Sequence, residues 1–371
     1  MSNELLFDHT LRNALAGAAI LGVVCGVIGS FALLRRQSLI GDTLSHAALP
    51  GICLGFLVAG SRTLGPILAG AIISGALAGL IVMALTRGTR LKADAAMGIA
   101  LSLFFAFGIV LLTFIQRQSG AAQAGLETFL FGQAAAVLSS DIALLGGLAT
   151  AVLALVVMLW KELKLVTFDP IYAQTIGLPV TALEALLTLT VALAVVIGLQ
   201  MVGVVLMAAM IIAPAAAARQ WVSRLETMVL LAALFGMLAG VTGAFISSTA
   251  PGLATGPLVI LVATGIVVAS ILCAPRRGLL WQWRRLRRER QQIGSVQVLQ
   301  TLRDLARDHG DPSYPTERGM LDTYHGARTR AAVDDLARRG LITPASHMPS
   351  EGEHWVLTPA GHREAEEFSD G

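Results

Sequence analysis

The sequence predicts a helical protein that crosses a membrane several times and carries a small soluble domain at its C-terminal end. Of its 371 residues, 55% are hydrophobic and 14% are charged, whereas an ordinary soluble domain carries about 25% charged residues. The charges are also placed unevenly. Residues 276–371 hold 15 of the 27 basic and 14 of the 24 acidic side chains. We therefore expect an apolar body over residues 1–275, a basic juxtamembrane helix or linker over 276–293 and a soluble domain over 294–371.

Nine apolar segments are predicted as membrane-spanning helices, each of which needs about 20 residues. They cover 13–34, 42–59, 66–86, 94–115, 141–160, 180–201, 203–218, 226–246 and 256–275. The 39 residues of 180–218 are slightly short for two complete crossings at the rise of an α-helix. One of these two helices is therefore expected to be short or broken, as helices that line transport pathways often are.

Basic residues predict the orientation of these spans. They cluster in loops on one side: Arg35 and Arg36, then Arg87, Arg90 and Lys92, then Lys161 and Lys164, then Arg219 and Arg224, and finally the run from 276 to 290. Because basic loops tend to stay in the cytoplasm, nine crossings place the N-terminus outside and the C-terminus in the cytoplasm. The first residues lack a basic stretch, so we expect the first apolar segment to be retained rather than cleaved as a signal peptide.

Asp42 and His46 are ionisable residues at the start of the apolar second span. They are four residues apart, so on a helix they share one face. Ionisable groups at membrane depth are costly and usually face a bundle interior or a pathway, and a carboxylate with an imidazole suits a divalent transition metal. Alternatively, Asp42 caps the helix and His46 is bonded locally. A deeper, central site would require residues 35–41 to re-enter the membrane; otherwise the pair belongs to an inner gate.

The loop 161–179 contains signals for a short helix. Asp169 followed by Pro170 is a helix start, and Gly177 followed by Pro179 is a helix stop. This helix is either a simple connector or a docking element for a cytoplasmic partner. The sequence contains no GxxxxGK[ST] phosphate-binding loop. If ATP drives a process here, its hydrolysis is expected to come from another chain.

Six segments, taken in order, resemble the permeases of ATP-binding-cassette (ABC) importers for metal cations, which take up zinc, manganese or iron(II). They are 39–52, which contains the Asp and His described above, 94–99, 129–132, 169–177, 202–218 and 255–261. Each segment is weakly specific by itself, whereas the ordered set is specific, and it covers roughly residues 10–275. The resemblance implies a multi-pass protein of the bacterial inner membrane that is not an enzyme and binds no cofactor of its own.

The resemblance also implies partners and residue roles. The partners would be a second permease chain (identical or similar), an ATP-binding cassette subunit that uses ATP, and an extracytoplasmic metal-binding protein. Asp42 and His46 would be transient metal ligands in the pathway or its gate. Asp169, Pro170, Tyr172 and Gly177 would form the helix that couples the permease to the ATPase. Two alternatives stay open, namely an ion-gradient-driven secondary metal carrier and a membrane-anchored metal sensor with a regulatory tail.

The soluble tail resembles a winged-helix domain of the kind found in metal-dependent repressors. The resemblance rests on the order of two segments, 336–342 and 356–361. Arginines could contact DNA phosphates, namely Arg328, Arg330, Arg338 and Arg339. Nucleic-acid binding is nevertheless not expected, because residues 276–371 as a whole are almost neutral in net charge and are tethered to a membrane. A metal-sensing role is an alternative, since five of the seven histidines lie here: His309, His325, His347, His354 and His362.

Overall fold

The computed structural model of this chain describes residues 9–59, 64–118, 139–199, 201–204, 206–249, 253–275, 278–326, 329–345 and 352–367. The chain divides into two compact units, Met1–Gly278 and Leu279–Gly371. The predicted motif segment 129–132 lies outside the described residues, as do Arg328 and His347 of the tail. The described part of the first unit is helical, and that of the second unit combines helices with a small sheet.

The first unit contains eleven helices within its described residues. They are α1 (His9–Leu34), α2 (Ile40–Ala59), α3 (Leu64–Gly88), α4 (Ala93–Gln118), α5 (Ser139–Met158), α6 (Trp160–Phe168), α7 (Pro170–Thr175), α8 (Val180–Leu199), α9 (Met207–Trp221), α10 (Leu225–Ser248) and α11 (Thr255–Cys273). Eight of them, all except α6, α7 and α9, have the length and apolar composition of a membrane span.

The outer surface of the first unit is itself apolar. Large side chains such as Ile73 on α3, Val110 on α4 and Leu230 on α10 are mostly exposed. Water-soluble monomers rarely expose apolar surface on this scale, whereas helices with all backbone groups bonded internally are suited to lipid. The prediction of a helical multi-pass membrane protein is therefore confirmed.

Helix α9 accounts for the irregularity expected within residues 180–218. It corresponds to the predicted span 203–218 but has only 15 residues, fewer than a full crossing needs. Gly203, with φ of +86°, lies in the turn between α8 and α9. Pro214 lies inside α9 and is buried, and the helix packs against α1, α10 and α11. The predicted pair of spans is thus one long helix followed by a short helix inside the bundle.

Glycines allow two pairs of helices to approach very closely. Among the described residues, the most extensive contact between helices is that of α1 with α10. A Cβ atom added at Gly22 would lie 2.2 Å from the carbonyl oxygen of Gly236. Helices α2 and α3 meet in the same way, since a Cβ at Gly51 would lie 2.1 Å from the carbonyl oxygen of Gly70. Small residues at such crossings let van der Waals contacts hold membrane helices together.

We expect Gly22→Ala to lower the thermal unfolding temperature of the detergent-solubilised protein. The added methyl group would meet backbone atoms of α10, which cannot rotate away, and overpacking of this kind costs about 1–3 kcal/mol. Gly98→Ala is the matched control, because a Cβ at this position of α4 has no atom within 4 Å. An equal loss of stability in both variants would contradict the close approach of α1 and α10.

The second unit combines four helices with a three-stranded antiparallel sheet among its described residues. In chain order the elements are α12 (Leu279–Asp308), β1 (Thr316–Glu317), α13 (Arg318–His325), α14 (Thr329–Arg338), β2 (Ile342–Ala345), β3 (His354–Leu357) and α15 (Pro359–Glu367). Strand β3 lies between the other two, with Thr316 opposite Trp355 and Ile342 opposite Leu357. Leu302, Leu321 and Leu336 belong to one buried core with Ile342 and Leu357. Helix α12 includes most of the predicted linker 276–293.

Candidate functional site

Asp42 and His46, referred to here as the Asp–His pair, lie together on α2. The helix begins at Ile40 and therefore carries Asp42 in its first turn. The Nε2 atom of His46 lies 3.4 Å from Oδ1 of Asp42, and the side chains are 17% and 34% exposed, respectively. The structure thus brings together the two residues that the spacing placed on one face. Asp42 lies inside the helix rather than before its first residue, so it is not an N-cap, although a carboxylate in the first turn still favours the helix dipole.

The imidazole ring of His46 packs against an aromatic ring, and one of its nitrogens has no hydrogen-bond partner among the described residues. Its ring packs edge-on against Phe105 of α4, with the ring centroids 4.9 Å apart and the planes at 78°. This is a favourable arrangement for aromatic rings. Its Nδ1 atom is buried and has no hydrogen-bond partner among the residues described. Because an unpaired buried nitrogen costs about 1–3 kcal/mol, this atom is suited to a ligand that the chain itself does not supply.

The Asp–His pair lies near the start of α2, next to residues that line a cavity between helices. Leu44 lines one cavity together with Gly79 of α3 and Thr188 of α8. Thr188 is eight residues after Val180, the first residue of α8, which corresponds to about 12 Å along the helix axis. Asp42 and His46 lie on either side of Leu44. The start of α2 thus borders a cavity that reaches about two turns into α8.

An ion-pair cluster that the sequence analysis did not predict lies where α1 and α3 end and α8 begins. One oxygen of Glu184 accepts a hydrogen bond from Arg35 and the other accepts one from Arg87, each at 2.6 Å. Arg87 also donates to the hydroxyl of Thr181. Burial lowers the pKa of the Arg35 guanidinium, and Glu184 opposes that shift. The sequence signal for this cluster was Glu184 itself, the only charged residue within 180–218.

A cavity of about 240 Å³ adjoins this cluster. Its lining includes Arg35 and Glu184 together with Thr43 of α2, Met97 of α4 and Thr188 of α8. Thr43 is the residue immediately after Asp42. The cavity therefore places the ion pairs next to the helix that carries the Asp–His pair.

Helix α7 lies where the loop signals predicted a short helix. The carboxylate of Asp169 accepts a hydrogen bond from the backbone N–H of Tyr172 at 2.9 Å, and Pro170 is the first helical residue. Gly177 has φ of +86° and reverses the chain toward α8. Ala173 is fully buried in a small core between α6 and α8, whereas Ile171 and Tyr172 are 75% and 54% exposed. The helix is thus anchored on one side and presents apolar groups on the other.

The tail offers no metal-sensing site in the part that the structure describes. No group of three or more His, Cys, Asp or Glu residues able to hold a metal occurs among the described residues of the chain. His309 donates to the carbonyl of Leu305 at 2.8 Å, and His362 donates to that of Pro312 at 2.9 Å. His325 shares a hydrogen bond with the hydroxyl of Thr301. These rings have structural partners, so the metal-sensing alternative gains no support from them.

The comparison with family profiles decides the family. The profile described as "ABC 3 transport family" matches residues 7–274, which is nearly the whole first unit. The chain belongs to the ABC 3 transport family. It is therefore a permease subunit of an ABC importer and supplies no catalytic site for ATP hydrolysis, as the sequence analysis predicted. The matched region ends before the second unit begins.

Relatives in this family are similar over the same region. The manganese transport system membrane protein MntC of Bacillus subtilis is 48% identical over 285 residues, which cover 77% of this chain. The match spans 66% of MntC, just under two thirds of the length of that relative. The zinc transport system membrane protein TroC of Treponema pallidum is 45% identical, covering 76% and 96%. The solved structure of PsaBC from Streptococcus pneumoniae in complex with Fab matches with a TM-score of 0.66 and 34% identity, covering 74% of this chain and 96% of that chain.

Proposed function

We propose that this ABC 3 family permease forms the membrane pathway of an ATP-driven importer for manganese or zinc ions in the bacterial inner membrane. The observation that carries the proposal is the Asp–His pair, a carboxylate and an imidazole 3.4 Å apart on one face of α2. These oxygen and nitrogen donors suit both metals. Support also comes from the similarity to proteins named for manganese transport and for zinc transport. Iron(II), the third metal that the sequence resemblance suggested, has no such support among these names.

Two ligands in one chain would hold a metal ion weakly, which suits a pathway that must release it. We propose a second permease chain, identical or similar, whose own pair faces the same ion and raises the number of protein ligands. The buried Nδ1 of His46 gives this chain a free coordinating atom. Coordination through this atom requires a neutral imidazole.

The membrane topology that fits this function has nine crossings, of which the seventh is formed by the short α9 together with the turn that contains Gly203. This count places the basic loops on the cytoplasmic side and the N-terminus outside. It also places α7 at the cytoplasmic face, where the ATP-binding cassette subunit would dock. Asp169 and Pro170 start α7, Gly177 ends it, and the exposed Tyr172 provides an apolar contact. An extracytoplasmic metal-binding protein would deliver the ion from the other side.

Reconstitution tests this function directly. The permease is placed in liposomes with its ATP-binding subunit and a metal-loaded delivery protein, and uptake of manganese is measured with and without ATP. We expect ATP-dependent uptake that zinc competes with, and iron(II) is included as a third competitor. Uptake that proceeds without the ATP-binding subunit and follows an ion gradient would instead establish a secondary carrier.

We further propose a winged-helix fold for the second unit, with a protein partner rather than DNA. The order of elements from α12 to α15 and the central position of β3 support this fold. Helix α14 would be the DNA-reading helix in such a domain. Two arginines at its C-terminal end are paired with carboxylates, because Arg338 lies 3.6 Å from Asp335 and Arg339, the residue after the helix, pairs with Glu364. A regulatory contact with the ATP-binding subunit or with a second copy of the tail fits this balance of charges.

A further inference from the structure

We propose that Glu184, through its bonds to Arg35 and Arg87, transmits movement of α7 to the helix that carries the Asp–His pair. Glu184 would be a positioning residue for transport, since it acts through α2 and does not touch the metal. This inference rests on the proposed function. The proposed function itself does not depend on the cluster of Arg35, Glu184 and Arg87.

The first argument is the short path along the chain between α7 and the cluster. Glu184 lies one turn into α8, and α8 follows α7 after a tight turn. Backbone hydrogen bonds close this turn, from Gly177 N–H to the carbonyl of Gln174 and from Leu178 N–H to that of Ala173, each at 3.0 Å. Because these hydrogen bonds make the turn rigid, we expect a movement of α7 to displace the start of α8 as well.

The second argument is an equally short path from the cluster to α2. Arg35 lies in the turn between α1 and α2, seven residues before Asp42. This turn is also closed by backbone hydrogen bonds, from Gln37 N–H to the carbonyl of Ala32 at 3.0 Å and from Ile40 N–H to that of Gln37 at 3.2 Å. The bond between Arg35 and Glu184 joins positions 149 residues apart and so connects two rigid segments directly.

The third argument is that the cluster is strong enough to act as a link. The side chains of Arg35 and Glu184 are 12% and 23% exposed, so water screens their attraction less than it screens a surface pair. Each carboxylate oxygen has its own arginine, and loss of the carboxylate would leave two guanidinium groups facing each other. The cavity beside the cluster borders both α2 and α8, so the ion pairs add a polar connection to the direct packing between these two helices.

The ion pair between Lys164 and Glu226 provides a matched control within the same unit. It joins α6 to α10 rather than to α2, and its side chains are 45% and 48% exposed. Surface pairs of this kind contribute little. Glu226→Gln and Glu184→Gln therefore make the same chemical change at two carboxylates that differ in burial and in the helix they reach.

The test compares the number of manganese ions transported per ATP hydrolysed in proteoliposomes that contain the complete importer. We expect Glu184→Gln to lower this ratio about tenfold while ATP hydrolysis continues, because a broken buried ion pair costs more than the energy of a tenfold change. We expect Glu226→Gln to stay within about twofold of wild type. A wild-type ratio in Glu184→Gln would overturn the inference. Absence of ATP-dependent uptake by the wild-type protein would instead overturn the proposed function.

A charge-reversed variant keeps the test decisive if Glu184→Gln fails to fold. The triple change Arg35→Glu, Glu184→Arg and Arg87→Glu preserves the pattern of one central charge between two opposite charges. We expect it to assemble and to restore the ratio to within about threefold of wild type, since one guanidinium can bond two carboxylates. An assembled triple variant that hydrolyses ATP with a ratio tenfold or more below wild type would overturn the electrostatic link.

Discussion

Asp42→Ala and His46→Ala are each expected to reduce ATP-dependent metal uptake by about 100-fold, the upper range for disturbing a metal site. With two ligands per chain, loss of either leaves one donor per chain, which weakens the hold of the paired permeases on the ion along the pathway. Uptake of radioactive manganese into proteoliposomes measures the effect. Co-purification of the ATP-binding subunit and continued basal ATP hydrolysis would show that the variants still assemble.

Asp94→Ala is the matched control for this prediction. Asp94 is also an aspartate in the first turn of a predicted span, at the start of α4, and it is exposed. We expect its replacement to leave uptake near the wild-type level. Normal uptake by both Asp42→Ala and His46→Ala would remove the Asp–His pair from the pathway.

Gly177→Trp is expected to uncouple ATP hydrolysis from transport. The residue has φ of +86°, a conformation that costs a residue with a Cβ roughly 1–2 kcal/mol. The indole would also project beside the exposed groups of α7, where the ATP-binding subunit is proposed to dock. We expect uptake to fall at least tenfold relative to the ATP consumed, measured as metal ions transported per ATP.

Gly177→Asn separates backbone strain from loss of the docking surface. Asparagine tolerates positive φ better than other residues with a side chain, and it is much smaller than tryptophan. We expect this variant to transport at close to the wild-type ratio. A Gly177→Trp protein that kept normal coupling would contradict the role proposed for α7.

The spans were predictable because the membrane imposes a simple requirement. Each crossing needs about 20 apolar residues, and those runs are visible in the sequence without knowledge of their neighbours. The short α9 was only partly predictable. Length alone indicated that 180–218 could not form two full helices, but the turn containing Gly203 and the burial of Pro214 depend on packing against other helices. Local composition does not contain that information.

The functional residues show the same division between local and long-range information. Asp42 and His46 are four residues apart, so helix geometry alone placed them together. Their depth depends on where α2 begins relative to α3 and α8, which is a tertiary property. The partners of Glu184 were not predictable, because Arg35 and Arg87 lie 149 and 97 residues away in the sequence. Several arginines were available, and only the folded bundle selects these two.

The close crossing of α1 and α10 has a consequence for how the protein is made. Gly22 and Gly236 touch across a separation of more than 200 residues, so α1 enters the bilayer long before its main partner has been synthesised. Because α1 has the length and apolar composition of a membrane span, it is suited to remain in lipid as an independent helix until then. The contact between α1 and α10 can therefore form only late in translation, when α10 has been synthesised and displaces lipid from the face of α1 that carries Gly22.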